Sequence, residues 1–431
     1  MKHVAMAIIQ HALQAVDPRA AVHRLLTRED NRLAIGRVSY DLASYRRVLV
    51  LGAGKASGAM AAALEELLDG YLDVGAVIVK QGYRVPTQRT ELFEAGHPIP
   101  DQRGLEATQA IMALAADADE DDLIFFLVSG GCSALLEAPA PCLTLDDLVA
   151  VNTRLLSCGA AITEINTVRK HLSLVKGGKL AQLAAPATRV TLVLSDVVGS
   201  PLGVIGSGPT VADKSTPADA LRVLDRYGLL REVPAAVLDH LHRPDTAAPE
   251  FASPARGSIH LVGSNEQASA AAASKATELG WRSMVLSTFL EGEAREVGRV
   301  LAAVGKEIRF HDRPLPPPAC VVCGGETTVV VRGSGKGGRN QELALGAALA
   351  LDGMEDVAVV GFATDGTDGP TDAAGAWADG TTVARGNGCG LDAAGCLAEN
   401  DSYRYFQAVH DLITTGPTCT NVNDLALVLV W

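Results

Sequence analysis

Three features of the sequence predict an α/β protein of two domains. Apolar runs of strand length alternate with amphipathic helical stretches almost throughout the chain. Glycine is abundant, 43 of 431 residues, and aromatic residues make up only 4%, which suits many tight strand-to-helix turns. The chain is also longer than one hydrophobic core usually organises, so two or three domains are expected.

The elements follow in order. The N-terminal stretch to about Leu26 is amphipathic and reads as helix. Arg47–Leu51 and Val74–Val79 read as strands, with a helix at Ala56–Leu68 between them. A helix over Leu105–Ala116 precedes the fully apolar strand Leu123–Val128, and helices fill 145–157 and 160–175. Val190–Leu194 is a strand and 217–228 a helix. Continuous apolar strands between helices indicate a mostly parallel sheet covered on both faces. Residues 242–257, rich in proline, alanine and polar residues, mark the main boundary. A further β-α-β-α unit ends at the proline run Arg313–Pro318. Strands at 319–323 and 327–332, a helix at 339–351 and strands at 357–362 and Leu425–Val430 complete the chain.

Composition excludes some functions. A net charge of −13 makes nucleic acid an unsuitable partner, because polyanion binders carry a basic face. No signal-peptide pattern opens the chain and no apolar run is long enough to span a membrane, so a cytoplasmic protein is expected. The eight cysteines form no regular framework. Cys320 and Cys323 make a C-x-x-C inside an apolar strand, where cysteine acts as a small hydrophobe, and no second pair at zinc spacing accompanies them.

Three glycine-rich loops follow strands. In the first, Gly52-Ala53-Gly54-Lys55-Ala56-Ser57, glycine would let the backbone approach a phosphate, the helix N-terminus would offer free N–H groups, and Lys55 would add a charge. A plain tight turn needs the glycines and gains nothing from the lysine. The second, Ser129-Gly130-Gly131-Cys132-Ser133, suits an oxyanion or phosphate cradle at a strand's carboxyl end; the G-x-S-x-G elbow is absent. The third holds a literal G-x-G-x-x-G at Gly333, Gly335 and Gly338, a dinucleotide fingerprint when read alone. Lys336 and Arg339 within it suit several phosphates better than one pyrophosphate, and Val330 and Gly337 break a Walker pattern.

Charged residues cluster elsewhere. Arg169, Lys170 and His171, with Lys176 and Lys179 close behind, are either a substrate site or a solvated basic face. Asp196 ends a strand before Gly206-Ser207-Gly208, a suitable place for a general base or magnesium ligand. Asp365, among several Asp-Gly turns, and Glu326, between two strands, are candidate metal ligands, with ordinary turn chemistry as the competing reading.

Taken in order, GAGKAS (52–57), GHPIPD (96–101), SGGCSALLE (129–137), INTVRKHLS (165–173), LSDVVGSPLGVIGSGPT (194–210), CGGETTV (323–329), GKGGRNQE (335–342), ATDGTDGPTDAAG (363–375) and TNVNDL (420–425) resemble the class II glycerate 2-kinases. The resemblance covers nearly the whole chain. It implies a larger Rossmann-like three-layer domain at 1–242 with a mostly parallel sheet. A smaller α/β domain of the MOFRL type, with a mixed sheet, would follow at 257–431 after a linker at 243–256. It implies ATP and magnesium as cofactors, D-glycerate as substrate and 2-phosphoglycerate as product, with the active site in a cleft between the domains. A homodimer is compatible with it. Lys55 matches the family's proposed essential lysine, and Arg339 falls on the arginine of its GGRNQE segment.

Under that implication Lys55, Arg339 and Asp196 carry catalysis. Gly52, Gly54, Ser57, Ser129, Gly130, Gly131, Ser133, Arg169, Lys170, Gly206, Ser207, Gly208, Lys336 and Asn340 hold substrate or phosphate, and Asp365 and Glu326 hold the metal. Two alternatives stay open: an NAD(P)H-dependent hydroxypyruvate reductase, and a nucleotide- or sugar-acid-binding protein without catalysis.

Overall fold

A computed structural model describes residues 1–243 and 256–431. The linker expected at 243–256 lies, apart from its two end residues, outside the described residues. The chain forms two compact units, Pro18–Val262 and Met1–Asp17 with Gly263–Trp431. This departs from the expected division at both ends, for reasons of packing. Helix Lys2–Ala15 buries Ala5, Ile8, Ile9 and Ala12 and packs on helix Asn265–Glu278 of the second half. Thr420 Oγ1 ties off its end by donating to the Val16 carbonyl at 2.7 Å. An apolar helix face must be covered, and here a segment more than 250 residues away covers it.

The Pro18–Val262 unit opens with a small antiparallel sheet of β1 (Leu26–Glu29), β2 (Arg32–Ile35) and β3 (Val38–Asp41), which the sequence reading does not anticipate. Its main sheet holds β4 (Arg47–Ala53), β5 (Leu72–Lys80), β6 (Thr90–Ala95), β7 (Asp122–Val128), β8 (Thr188–Leu194) and β9 (Gly257–Gly263) in the order β6-β5-β4-β7-β8-β9. The pairs from β6 to β8 are all parallel. Each residue of β7 is buried, as expected of a central parallel strand whose two faces both meet helices. Helices Leu145–Ser157, Ile162–Leu172, Pro217–Arg226 and Ala235–Leu241 gather around a separate apolar cluster that includes Leu148, Leu155, Val168 and Leu224.

The second unit carries β10 (Arg282–Leu290), β11 (Ala319–Gly325), β12 (Val357–Ala363), β13 (Gly375–Asp379), β14 (Leu412–Ile413) and β15 (Asp424–Val430) in the order β10-β11-β15-β12-β13-β14. β10 and β11 run parallel and the other neighbours antiparallel, so the sheet is mixed, as expected. The strand expected at 327–332 does not form. Val330 and Val331 stay exposed, and their stretch of backbone is held by side chains instead. Glu293 accepts from the Val330 N–H, and Asn400 Oδ1 accepts from the Arg332 and Gly333 N–H groups at 2.7 and 3.0 Å. Cys320 and Cys323 are buried free thiols within β11.

Candidate active site

The loops leaving the carboxyl ends of β4, β7 and β8 converge, because neighbouring parallel strands end on the same edge. Their glycines are demanded by each other. A Cβ on Gly52 would lie 2.1 Å from the Leu127 carbonyl oxygen, and one on Gly54, whose φ is +142°, would lie 2.0 Å from Ser129 Oγ. Ser57 and Ser129 are fully buried and hydrogen-bonded to each other at 2.9 Å. Ser129 Oγ also accepts from the Ala56 N–H, while the Lys55 N–H donates to Gly130 O at 2.8 Å. Gly52, Gly54, Ser57 and Ser129 therefore lock two loops together, and their cradle for a phosphate is already filled by protein. Gly206, Ser207 and Gly208 behave likewise. Ser207 is buried, donates to Asn166 Oδ1 and pairs with Ser133 Oγ, both at 2.9 Å. Its carbonyl and that of Gly208 receive the N–H groups of Gly177 and Gly178.

This bracing leaves a few side chains facing the loops' open side. The Lys55 ammonium makes no hydrogen bond or ion pair with any described residue. The nearest neighbours of a Cβ on Gly131, whose φ is +85°, would be the His97 ring at 3.0 Å and Lys55 Cγ at 3.5 Å. A Cβ on Gly130 would lie 2.2 Å from Asp196 Oδ2, so glycine lets the β7 loop pass directly over that carboxylate. His97, two residues beyond β6, is pushed down to about 4 by burial, then by Lys55 and Lys80, and is neutral at physiological pH. The sequence reading quotes His97 within GHPIPD and assigns it nothing. Its signal is the one used for the other loops, a polar residue just past a parallel strand's carboxyl end.

The basic cluster divides on inspection. Lys170 reaches Asp213 Oδ1 at 3.2 Å, and Asp213 is held below the usual carboxylate range by Ser215 and Lys170 against the opposing effect of burial. Lys176 is buried against Glu137 at 2.7 Å. Lys179 donates to the carbonyls of Lys170 and Ser173, and burial lowers it to about 8. Lys170, expected to bind substrate, is thus neutralised within the protein. Arg169 has no carboxylate partner among the described residues. Its Nε donates to Asn152 Oδ1 at 2.7 Å, and burial pulls its pKa below the ordinary arginine value. It lines a cavity of about 250 Å³ with His97, Gly131, Ser133 and Asn152.

In the other unit Arg339 stands at the start of helix Arg339–Leu351, held by two carboxylates. Its Nε and Nη2 donate to Asp424 at 2.5 and 3.1 Å, and Nη1 donates to Glu326 Oε1 at 2.6 Å. Asp424 opens β15 opposite Gly325 and Ala363. Burial raises its pKa to about 7, against the opposing pull of Arg339. Arg339 is lowered by burial but driven up further by Asp424 and Glu326, so it stays charged. The forked face that could clamp a substrate carboxylate is occupied by Asp424.

Asn340, expected to bind phosphate, is buried, and its N–H and side-chain amide both donate to Asp368 Oδ1. Lys336 lies 4.5 Å over the Tyr403 ring. The G-x-G-x-x-G loop packs on residues 399–402 and Asp368. A Cβ on Gly333, Gly335 or Gly338 would come within 2.6 Å of Glu399, Asp401 or Asp368. Those glycines serve the fold, which removes the main basis for a dinucleotide site.

Glu326 and Asp365, the expected metal ligands, each have protein partners. Glu326 meets Arg339 and accepts from Asn423 at 2.9 Å, and Asp365 Oδ1 closes its own turn by accepting from the Thr367 N–H at 3.0 Å. Among the described residues no group of three or more His, Cys, Asp or Glu could hold a metal ion. The described residues also contain no helix long and apolar enough to cross a membrane.

The chain resembles characterised proteins along its whole length. It is 42% identical to the D-glycerate 2-kinase of Thermotoga maritima over 433 residues, spanning 100% of this chain and 98% of that one. A crystal structure of glycerate kinase from Thermotoga maritima matches with a TM-score of 0.89 at 41% identity, covering 100% of this chain and 99% of that one. An Agrobacterium vitis protein, 44% identical over 89% of this chain and 87% of its own length, carries a provisional hydroxypyruvate reductase name. Two family models match: MOFRL at residues 319–424 and a domain of unknown function, DUF4147, at residues 4–242. The chain belongs to this DUF4147 family and carries a MOFRL region in its C-terminal half.

Proposed function

We infer that the chain is a glycerate 2-kinase that transfers the γ-phosphoryl group of magnesium-bound ATP to the C2 hydroxyl of D-glycerate. The observation that carries this reading is the full-length likeness to the Thermotoga maritima D-glycerate 2-kinase. The C2 oxygen attacks the γ-phosphorus, the bond to the β–γ bridging oxygen breaks, and ADP leaves. The hydroxyl proton passes to a base, a role assigned here to Asp196 beside Gly130. Such a reaction asks for positioning and charge neutralisation rather than covalent chemistry. Lys55, beside Gly131 and with no partner for its ammonium among the described residues, suits contact with the transferring phosphoryl group. Gly130, Gly131 and Ser133 form the floor of this arrangement. Arg339 keeps a charge-stabilising role, with its guanidinium fixed by Asp424 and Glu326.

Phosphorus NMR of the purified protein incubated with D-glycerate, ATP and magnesium tests the reading. A parallel reaction holds hydroxypyruvate and NADH. A 2-phosphoglycerate signal with stable NADH is expected. NADH oxidation with no phosphoester would overturn it in favour of the reductase.

A further inference from the structure

A guanidinium withdrawn from water without a carboxylate beside it costs free energy, which a bound anion can offset. Arg169 is in that position: Glu137 attracts it through space but is bonded to Lys176 and not to it. Two cations close in sequence do have carboxylate partners: Lys170 has Asp213 and Lys176 has Glu137. Arg169 has only the Asn152 carbonyl oxygen on its Nε, a bond that fixes the direction of the guanidinium plane. Its Nη1 and Nη2 hydrogen-bond to no described residue, so the fork that matches a carboxylate is still available.

The cavity in front of it agrees with that charge. No aspartate or glutamate lines it. Its polar lining beyond Arg169 and Asn152 includes Ser133 and His97, and the His97 ring makes no hydrogen bond with any described residue. A neutral imidazole can donate or accept, and the Ser133 hydroxyl, whose proton goes to Ser207, can still accept, which suits the two hydroxyls of a short sugar acid. The volume of about 250 Å³ lies below the roughly 300–1,000 Å³ of pockets that hold drug-sized ligands. It is better matched to a three-carbon acid than to a nucleotide. Gly131 forms one wall, and Lys55 lies against the same glycine, which leaves an acid whose carboxylate meets Arg169 able to turn its hydroxyls towards the lysine.

We propose that this cavity is the acceptor site, that Arg169 determines specificity by reading the acid's carboxylate, and that Asn152 is the residue positioning Arg169. The proposal rests on the kinase reading for the identity of the acid and on the cavity for its place.

The test combines calorimetric binding of D-glycerate without nucleotide, steady-state kinetics and melting temperature, on wild type, Arg169→Met and Asn152→Ala. Arg169→Met should weaken D-glycerate binding and raise its KM about 100-fold, the loss of two charge-assisted hydrogen bonds. The KM for ATP should stay within about twofold, since no nucleotide contact is lost in this assignment. Its melting temperature should hold or rise, because an unpaired cation is removed and no acid is stranded. Asn152→Ala should raise the KM for D-glycerate about tenfold, the loss of one orienting hydrogen bond.

A rise in the KM for ATP with D-glycerate unaffected would overturn the proposal by giving the cavity to nucleotide phosphates. A lower melting temperature with unchanged D-glycerate affinity would overturn it by making Arg169 structural. Failure of the two readings is separable. Arg169-dependent binding of D-glycerate by a wild type that makes no phosphoester would sink the kinase and keep the site. Full turnover by Arg169→Met would sink the site and keep the kinase.

Discussion

Arg169 and Arg339 both stand out in the sequence as candidate substrate-side cations, yet the two units treat them in opposite ways. Arg169 faces a cavity with no acid in its lining and is held by one neutral side chain. Arg339 is gripped by Asp424 and Glu326. A charge that the protein balances itself contributes to the fold and has few donors left for a ligand. A charge left unbalanced in a partly dry place is poised for one. The difference turns on partners remote in sequence, since Asp424 lies 85 residues from Arg339.

The largest expected effect falls on a second cation of the unbalanced kind. Lys55→Ala should lower kcat about 10³-fold, the scale for removing one preorganised group that stabilises a transition state. Its ammonium bonds to no described residue, so the melting temperature should hardly move. Steady-state kinetics with a thermal melt decide this, and near-normal turnover would remove Lys55 from the mechanism.

The next effect separates the two arginines directly. Arg339→Ala leaves Asp424 buried without its counter-ion, and breaking such a pair costs about 3 kcal/mol. Replacing Asp424 by asparagine in the same chain should restore part of the loss, because a neutral amide can stay buried more cheaply than a lone carboxylate. Arg169→Met should show no such loss. Urea unfolding of the four proteins measures this, and equal losses for both arginines would erase the contrast.

Much of this fold was legible in the sequence. The apolar runs of β4, β7 and β8 and the helices between them follow from patterning, because a central parallel strand is buried on both faces and allows little else. β1 to β3 were not legible, since LTRE, RLAI and VSYD are four residues each and all carry charge. The packing of the N-terminal helix on residues 265–278 is a tertiary choice that leaves no local mark. Within the site, the sequence placed the loops and Lys55 just beyond the carboxyl ends of β4 and β7, but not the close packing between those loops. Gly54 and Gly130 leave room for Ser129 and Asp196, protein atoms invisible to a motif. Nor could it separate Arg169 from Lys170, because Asp213 decides between them from 43 residues away.

Two histidines extend the comparison to pH. His97 and His171 are both lowered to about 4, burial being the largest cause in each. His171 Nε2 meets Ser215 Oγ at 3.1 Å, and its buried Nδ1 has no acceptor. Asp213 and Asp219 favour its protonation and outweigh Lys179 and Lys170, but burial outweighs them and keeps the ring neutral. Below the ordinary histidine pKa of about 6.5 the unfolded chain takes up protons that the folded chain refuses. Stability is therefore fully present above that value and lost as pH falls from about 6.5 towards about 4. Replacing His171 with glutamine should make that decline shallower, measured by urea unfolding across the window. An unchanged slope would mean that His171 already carries its proton when folded.

The smallest expected effect concerns the G-x-G-x-x-G loop. Lys336 is exposed, and its ammonium sits over Tyr403, whose hydroxyl donates to Asp372 Oδ1 at 2.7 Å. An exposed cation over a tyrosine contributes about 0.5 kcal/mol, and the Tyr403–Asp372 bond survives without it. Lys336→Ala should therefore shift unfolding barely beyond error and leave kcat and both KM values near wild type. A fall in turnover as deep as that of Lys55→Ala would return the loop to the phosphates. The rule drawn from the two arginines would then need a second term, because a fully exposed cation with an aromatic neighbour would be acting as strongly as a half-buried one with no partner.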